Sequence, residues 1–276
     1  MTPRAPINRI LRSSFVDGPG NRCAVFVQAC NFDCVYCHNP ETLRLCSACG
    51  VCVGGCPGGA LTQTAAGIRW QSSLCTKCDA CLKICPHNAS PRVRFLTPEE
   101  VMAEIESALP FIRGVTVSGG ECTLYPDFLK TLGDLIHRQG KTFFLDTNGS
   151  YDFSADPELL ARADGILLDV KALPGEAERV IRRSGYAIFS AVQFLAESGK
   201  LYEVRTVVSP GLFDAAGLVE RVCPLLAGSG ARYKLIRYRS AGVRPGAAEV
   251  LRPPDNALLD RLSACCSRYG VPATLL

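Results

Sequence analysis

Three closely spaced cysteines constrain this chain more than any other feature: Cys30, Cys34 and Cys37 form a C-x3-C-x2-C triplet. A disulfide framework does not suit them, because one cysteine would remain unpaired and the intervening loops are short. Three thiolates at this spacing can instead ligate three corners of a [4Fe–4S] cube and leave one iron open. An open coordination position indicates a catalytic rather than a structural metal site. The alternative is a zinc site completed by His38, although zinc sites typically use C-x2-4-C pairs.

Length and charge exclude several classes of protein. The 276 residues, 47% of them hydrophobic, suffice for one large α/β domain with an insertion or for two domains. The formal net charge of +4 counts every cysteine as neutral, so bound clusters would bring the total close to zero. Basic residues are scattered instead of clustered, and we therefore expect no nucleic-acid partner.

Cysteine content bears on the cellular compartment. Sixteen cysteines would indicate a secreted disulfide scaffold in a shorter chain. Here residues 1–8 contain no apolar segment of the kind found in signal peptides, and no apolar run approaches the length of a membrane span. We therefore expect reduced, metal-bound cysteines in a cytoplasmic protein without a membrane partner, in an anaerobic or facultative setting.

A second cysteine pattern is repeated between residues 46 and 90. Two C-x2-C-x2-C-x3-C-P runs begin 29 residues apart, which is the bacterial ferredoxin pattern for two [4Fe–4S] clusters. In that pattern the fourth cysteine of each run ligates the other cluster. The predicted ligand sets are Cys46, Cys49, Cys52 and Cys85 for one cluster, and Cys56, Cys75, Cys78 and Cys81 for the other. Trp70 lies between the runs, and the sequence indicates only a packing role for it.

Alternating strand-like and helical segments fill the rest of the chain. The six predicted strands are 23–29, 115–118, 142–147, 166–170, 202–208 and 233–238. The predicted helices are 97–109, 126–139, 157–163, 187–197, 215–226 and 256–268. Buried β-branched strands that alternate with helices favour a parallel sheet. Six such units predict an α/β fold, specifically a partial (β/α)6 TIM-like barrel. The barrel would comprise residues 1–45 and 91–276, and residues 46–90 would form a ferredoxin-like insert.

Polar motifs follow the predicted strands at their carboxyl ends, where parallel β/α folds bind ligands. The sequence reads S-G-G-E at 118–121, D-T-N-G at 146–149 and D-V-K at 169–171. One such run alone is an ordinary turn. Several at successive strand ends, together with the triplet after the first strand, predict one shared site.

These motifs suit a zwitterionic nucleoside ligand. Gly119 and Gly120 let the backbone approach closely, so that their carbonyls and Glu121 can hold an ammonium group. Asp169 and Lys171 suit ribose hydroxyls and a carboxylate. The aspartates of the second and third motifs would repel one another unless a cation lies between them.

The residues before the triplet complete a resemblance to a known family. Residues 17–22 read D-G-P-G-N-R, and a D-G-P-G-x-R motif before a strand and a cysteine triplet is typical of the radical S-adenosylmethionine (SAM) enzymes that activate glycyl-radical enzymes. The chain resembles these pyruvate formate-lyase activating enzyme-like proteins from about residue 10 to residue 239. Its insert resembles the subset with auxiliary clusters, most of all the YjjW-type activases. It departs at Arg239, where members often carry a histidine that contacts SAM.

The resemblance implies the chemistry and the partners. SAM binds the open iron and is reductively cleaved, and the 5′-deoxyadenosyl radical removes the α-hydrogen of a glycine in a glycyl-radical enzyme. Flavodoxin or ferredoxin supplies the electron, and the two auxiliary clusters bring the total to three [4Fe–4S] clusters. No catalytic acid–base side chain is implied, and we expect a monomer.

The resemblance also implies roles for individual residues. Those implied to bind SAM are Tyr36, His38, Gly119, Gly120, Glu121, Asp146, Thr147, Asp169, Val170, Lys171 and Arg239. Those implied to hold a monovalent cation beside the SAM carboxylate are Asp146, Thr147 and Asp169. Those implied to contact the partner loop are Asp17, Gly18, Gly20 and Arg22.

Two other functions fit parts of the pattern. One is a radical SAM peptide-modifying maturase, although its auxiliary cysteines normally lie C-terminal to the barrel. The other is a non-catalytic ferredoxin-like electron carrier or zinc-stabilised binding module, in which the strand-end motifs would have no purpose. The cysteines left without a ligand role are expected to be buried and free: Cys23, Cys122, Cys223, Cys265 and Cys266.

Overall fold

The computed structural model describes residues 2–244, 247 and 251–276. The strands in these residues are β1 Ala5–Ser14, β2 Arg22–Val27, β3 Leu61–Thr64, β4 Gly67–Trp70, β5 Arg94–Leu96, β6 Gly114–Gly119, β7 Thr142–Thr147, β8 Gly165–Asp169, β9 Leu201–Val208, β10 Arg232–Arg237 and β11 Ala273–Leu275. The helices are α1 Ala80–Lys83, α2 Pro98–Ile105, α3 Pro126–Arg138, α4 Pro157–Arg162, α5 Ala177–Ile181, α6 Ile188–Glu197, α7 Ala215–Leu226 and α8 Asn256–Arg268.

Nine strands form one open sheet in the order β11-β10-β9-β8-β7-β6-β2-β1-β5. Strands β2 and β6 to β11 run parallel, whereas β1 pairs antiparallel with both β2 and β5. The six predicted strands correspond to β2 and β6 to β10, each within two residues of its expected bounds. The predicted α/β class with a parallel sheet is therefore confirmed.

Strands β1, β3, β4, β5 and β11 and the short helices α1 and α5 were not predicted. Strands β5 and β11 have three residues each, too few to show a period of two. Strand β1 alternates poorly, because its pairing with β2 contains two register shifts. Helix α5 has five residues and follows a 3-10 turn, so it carries no helical period either.

Local capping explains why the predicted helices begin where they do. At α2 the hydroxyl of Thr97 accepts from the backbone N–H of Glu100 at 3.2 Å, and the Glu100 carboxylate accepts from the N–H of Thr97 at 2.7 Å. At α8 the carboxylate of Asp255 accepts from the N–H of Leu258 at 2.7 Å. No helix in the described ranges is both long and apolar enough to cross a membrane.

Residues 46–90 build little secondary structure. Strands β3 and β4 form an antiparallel hairpin between the two cysteine runs, and α1 is a single turn within the second run. The segment connects to the sheet region through a parallel bridge between Arg44 and Ala89. Its buried side chains are few and mostly small: Cys52, Ala60, Leu61, Ala89 and Ser90. Apolar burial therefore contributes little to its stability.

Candidate active site

A cavity of about 230 Å³ lies at the carboxyl end of the parallel strands. The cysteine triplet lines it, and the strand-end residues that face the triplet across it are Ser118, Gly119, Gly120, Asp146, Thr147, Asn148, Asp169 and Lys171. Further lining residues are Asp17, Phe26, Tyr36, His38, Asn39, Thr42, Leu43 and Val207. The structure thus brings together the triplet and all three polar motifs, although they are up to 141 residues apart in the sequence (Cys30 to Lys171).

Backbone hydrogen bonds hold the triplet loop in place. Ala29 has a φ of 79°, which turns the chain sharply out of β2. The N–H groups of Ala29 and Cys30 donate to the carbonyls of Thr42 and Leu43 at 2.8 and 3.0 Å. Two N–H groups further along the loop donate to carbonyls of α5, each at 3.0 Å. The loop is therefore fixed from both sides without using its thiols.

The thiols of the triplet lie in a poorly solvated environment. Burial raises the pKa of Cys34 to about 12 and that of Cys30 to about 11, and Lys171 opposes both shifts. Unliganded thiols are therefore neutral here at pH 7. Metal cations stabilise thiolates outright, so the three buried sulfurs fit a bound iron–sulfur cluster.

The Gly-Gly pair allows two strand ends to approach each other. A Cβ on Gly120 would lie 2.0 Å from the carbonyl oxygen of Ala29, and one on Gly119 would lie 2.3 Å from backbone atoms of Val27. Gly119 also has a φ of 120°. Glycine at these positions is thus required by packing against β2 and the triplet loop, besides leaving backbone exposed to the cavity.

Glu121, predicted to contact an ammonium group, is buried and does not line the cavity. It is 1% exposed, and its Oε1 accepts from the N–H and hydroxyl of Thr123 and from the hydroxyl of Thr147, at 3.1, 2.6 and 2.7 Å. Its Oε2 accepts from the N–H of Asn148 at 2.7 Å. Burial raises its pKa, and these hydrogen bonds oppose the rise. The contact with an ammonium group stays a prediction for this side chain, whose two oxygens already accept hydrogen bonds from protein donors.

The two cavity aspartates are each paired with a separate cation. A guanidinium nitrogen of Arg205 lies 3.1 Å from Asp146 Oδ2, and Nζ of Lys171 lies 2.8 Å from Asp169 Oδ2. Burial raises the pKa of Asp146 to about 7, while Arg205 lowers it and Asp169 raises it. The sequence placed Arg205 on the fifth predicted strand, among the charged positions that suggested one shared site, but gave it no individual role.

Two residues beside the triplet line the cavity as the motifs suggested. Tyr36 is buried, and its hydroxyl donates to the carbonyl of Lys171 at 3.2 Å. His38 Nε2 lies 2.9 Å from the carbonyl oxygen of Arg239, and its ring centroid lies 5.9 Å from that of Tyr238.

Two other predicted SAM ligands lie outside the cavity. The side chain of Arg239 is exposed, and only its carbonyl reaches His38. Val170 is fully buried in the apolar core, and its backbone N–H and carbonyl bond to the neighbouring strand β9. Neither residue lines the cavity, and a role of either in binding SAM stays a prediction.

The loop that carries the D-G-P-G motif reaches into the cavity through Asp17. Arg205 donates to the carbonyl of Val16 at 2.9 Å and so attaches this loop to the site. Gly18 and Gly20 have φ values of 119° and 71°, which favour glycine in the turn.

Arg22, predicted to contact a partner, has no exposed surface. Its guanidinium donates to the hydroxyl of Thr116 at 2.7 Å and lies 4.2 Å from the ring centroid of Phe144, and burial lowers its pKa to about 10. The hydroxyl of Thr116 in turn donates to the carbonyl of Asp17 at 2.6 Å. No part of Arg22 is exposed for a direct contact in this structure, and its side chain supports the loop that carries the motif.

A family model described as the radical SAM superfamily matches residues 24–217. The chain belongs to the radical SAM superfamily. Members use a [4Fe–4S] cluster and SAM, and the three thiols and the polar strand ends around the cavity fit both. Because the match spans the triplet and the three motifs, the family assignment and the geometry concern the same site.

Individual relatives show which members of the superfamily this chain resembles. A protein of Haemophilus influenzae, named provisionally as a glycyl-radical enzyme activating enzyme, is 28% identical over 96% of this chain and 94% of its own length. The choline trimethylamine-lyase activating enzyme of Oleidesulfovibrio alaskensis is 28% identical over 99% and 98%. The resemblance to activating enzymes is thereby confirmed. QueE from Escherichia coli shares the fold, with a TM-score of 0.56, 15% identity and coverage of 99% of this chain and 94% of QueE.

The eight insert cysteines of this radical SAM protein surround two smaller cavities. Lining the first cavity are Cys46, Cys49, Cys52 and Cys85. Lining the second cavity are Cys56, Cys75, Cys78 and Cys81. This grouping is the one that the crossed ferredoxin pattern predicts. Within the described ranges, no three cysteine, histidine or acidic side chains are grouped as ligands of a single ion.

The five remaining cysteines are buried and free, as expected. The thiol of Cys122 donates to the carbonyl of Asp146 at 3.3 Å, and Cys122 does not line the main cavity. The sulfur atoms of Cys223 and Cys266 lie 3.5 Å apart between α7 and α8.

Proposed function

We propose that this chain activates a glycyl-radical enzyme by generating a radical on one of its glycines. The observation that carries the proposal is the composition of the main cavity. Cysteine triplet, strand-end carboxylates and Asp17 of the D-G-P-G loop all line the same space. A site for SAM and a site for a protein substrate would thus adjoin each other, as a hydrogen transfer between them requires.

The residues of the triplet would hold the catalytic cluster. Cys30, Cys34 and Cys37 would ligate three irons and leave the fourth for SAM. When bound, the cluster and SAM supply the reductive cleavage that yields methionine and the hydrogen-abstracting 5′-deoxyadenosyl group. The protein contributes orientation, and its buried triplet loop excludes water.

The strand-end residues would hold SAM itself. Exposed backbone at Gly119 and Gly120 suits the ammonium group, and the Asp169–Lys171 pair suits the ribose and the carboxylate. Tyr36 and His38 provide ring surfaces for the adenine. A monovalent cation would bind between Asp146, Thr147 and Asp169.

Several finer features belong to the same proposal. Residues 46–90 would form a ferredoxin-like insert with two further [4Fe–4S] clusters, on a partial barrel made of residues 1–45 and 91–276. The protein would act as a monomer and receive electrons from flavodoxin or ferredoxin. Asp17, Gly18 and Gly20 would meet the glycine loop of the partner.

The first test measures SAM cleavage under anaerobic conditions. The protein is reconstituted with iron and sulfide, reduced with dithionite and assayed for 5′-deoxyadenosine. We expect product from the wild type, a loss of more than 100-fold in Cys34→Ala, and near-normal activity in the matched control Cys23→Ala. Retained cleavage in Cys34→Ala would overturn the proposal, as would absent product from a reduced protein that binds SAM.

The second test separates SAM chemistry from partner activation. Each glycyl-radical enzyme of the source genome is incubated with the reduced protein, and the glycyl radical is quantified by electron paramagnetic resonance. We expect Asp17→Ala to lower the radical yield more than tenfold and SAM cleavage less than twofold. Equal loss of both would contradict the role given to Asp17, and no radical in any candidate would contradict the activase function.

A further inference from the structure

The two cysteine cavities of the insert differ in the groups that face them. Besides its cysteines, the first is lined largely by apolar or small residues, with one exposed histidine: Ser47, Gly50, Val51, Ile68, Pro86, His87, Ala89 and Pro91. The second is lined by two strong hydrogen-bond donors, Trp70 and Arg92, beside its cysteines. The duplicated cysteine runs therefore do not produce two equivalent sites.

Trp70 presents an unsatisfied donor at the second cavity. Its Nε1 is buried and has no hydrogen-bond partner within the described part of the chain. An unpaired buried N–H costs about 1–3 kcal/mol, so its position calls for an acceptor. Sulfur is the acceptor chemistry at this cavity, because Trp70 lines it together with Cys75 and three further cysteines.

Arg92 is held beside the same sulfurs. Its guanidinium forms an ion pair with Asp79 at 2.8 Å, and its side chain is 19% exposed. Asp79 lies between the second and third cysteines of the second run, so the ion pair fixes the positive charge against that run.

We propose that Trp70 and Arg92 donate N–H···S hydrogen bonds to the metal-bound sulfurs of the second cavity and raise the reduction potential of its cluster above that of the first. The inference rests on the proposed function, because it requires a cluster in each cavity. Reduction adds negative charge to a cluster, so N–H donors beside the sulfurs stabilise the reduced state more than the oxidised state. Asp79 lines the same cavity and offsets the charge of Arg92, so the effect comes from the hydrogen bonds.

The first cavity is linked through the backbone to the loop that carries the catalytic triplet. Its cysteines flank the Arg44–Ala89 bridge, and the preceding residue, Leu43, accepts a hydrogen bond from the N–H of Cys30. The first cavity is thus connected to the catalytic triplet by a short backbone route. At equilibrium a one-electron donor would reduce the second cluster before the first.

The experiment uses the full chain with Cys30, Cys34 and Cys37 replaced by alanine, so that only the insert binds iron. Redox titration followed by electron paramagnetic resonance gives two midpoint potentials. We expect Trp70→Phe and Arg92→Met each to weaken reduction at the higher midpoint about tenfold, which is a fall of about 59 mV for one electron. The lower midpoint potential should shift by less than a third of that amount. The matched control is Arg69→Met, because Arg69 is exposed on the same hairpin and lies outside both cavities.

The outcomes separate this inference from the function on which it rests. Eight bound irons with both midpoints unmoved in Trp70→Phe and Arg92→Met would overturn the inference alone, as would an equal shift of both midpoints. Fewer than about eight irons in the parent protein would overturn the two insert clusters, and the inference with them. If one of the two variants loses iron, the midpoint potentials of the other variant, measured at full iron content, test the inference.

Discussion

The hydroxyl of Thr147 donates to Oε1 of Glu121 at 2.7 Å and joins the ends of β6 and β7 beneath the main cavity. The next N–H of the chain, that of Asn148, donates to the other carboxylate oxygen at 2.7 Å. Asn148 also donates from its side-chain amide to Asn31 of the triplet loop at 2.9 Å. One buried carboxylate therefore links two polar motifs and, through Asn148, the loop that carries the thiols.

Replacement of Glu121 tests this link. Glu121→Ala leaves donors of Thr123, Thr147 and Asn148 without partners in a buried region, so we expect a loss of about 3 kcal/mol in the free energy of unfolding. Urea denaturation of the apoprotein measures it. The control Glu158→Ala removes an exposed carboxylate and should change stability by less than about 0.5 kcal/mol. Similar stability of the two variants would show that Glu121 does not stabilise the strand ends.

Gly120 offers a test of the close approach between β6 and the triplet loop. A Cβ on Gly120 would lie 2.0 Å from the carbonyl oxygen of Ala29, so Gly120→Ala must displace the loop. We expect it to lose most of the iron that the triplet binds. The iron content is measured in a background that lacks the insert cysteines, with and without Gly120→Ala, so that only iron at the triplet is counted. Gly175→Ala is the control, since a Cβ there meets no atom within 4 Å. Full iron binding by Gly120→Ala would contradict the packing argument.

Arg22 is expected to act through stability and loop position. Arg22→Met removes the hydrogen bond to Thr116 and leaves buried acceptors unpaired, at a cost of about 2–4 kcal/mol. Thermal unfolding should show this loss, whereas Arg138→Met, at an exposed position on α3, should leave the midpoint nearly unchanged. A variant as stable as the wild type but unable to activate the partner would restore a direct contact role for Arg22.

The raised pKa of Asp146 predicts that the stability of the unliganded protein depends on pH. Its folded pKa is about 7, above the ordinary value of 3.8, so between about pH 4 and 7 the folded state retains a proton that the unfolded state has lost. Stability from this group is therefore present at low pH and falls, by on the order of a few kcal/mol, as pH rises through 7. The groups that face it are Arg205, Asp169, Ser118 and Asp17.

Denaturation curves across this pH range check the sign. Asp146→Asn should flatten the slope, and Asp127→Asn, at an exposed position of α3, should leave it as in the wild type. A wild-type stability that rises steadily from pH 4 to 7, with no change of slope in Asp146→Asn, would show that the Arg205 pair keeps Asp146 ionised throughout.

Iron removal should loosen the insert before the sheet. Residues 46–90 have few buried side chains, so the proposed clusters would supply most of their folding energy. After anaerobic chelation, we expect trypsin to cleave at exposed Lys77 and Lys83 at least tenfold faster, while cleavage at Arg138 on α3 changes little. Mass spectrometry of the digest gives the rates. Equal protection with and without iron would mean that the insert folds without metal.

Local patterns carried much of the fold and of the site. Strand and helix positions followed from the hydrophobic period, and the start of α2 from the Thr97 cap, because these signals act within a few residues of the chain. The crossed grouping of the insert cysteines likewise followed from spacing, as did the gathering of the three polar motifs, since carboxyl ends of parallel strands share one edge of the sheet.

Roles that depend on distant neighbours had to wait for the tertiary structure. Glu121 and Gly120 belong to one tripeptide, yet only Gly120 lines the cavity, whereas Thr147 and Asn148 donate hydrogen bonds to the Glu121 carboxylate. Arg22 is buried beneath the sheet by residues about 94 to 120 positions later. The sequence motifs determine which chemical groups are available at the site. Which of them face a ligand and which bond to the protein is decided by the competition for buried hydrogen-bond partners, and those partners meet only when the sheet has formed.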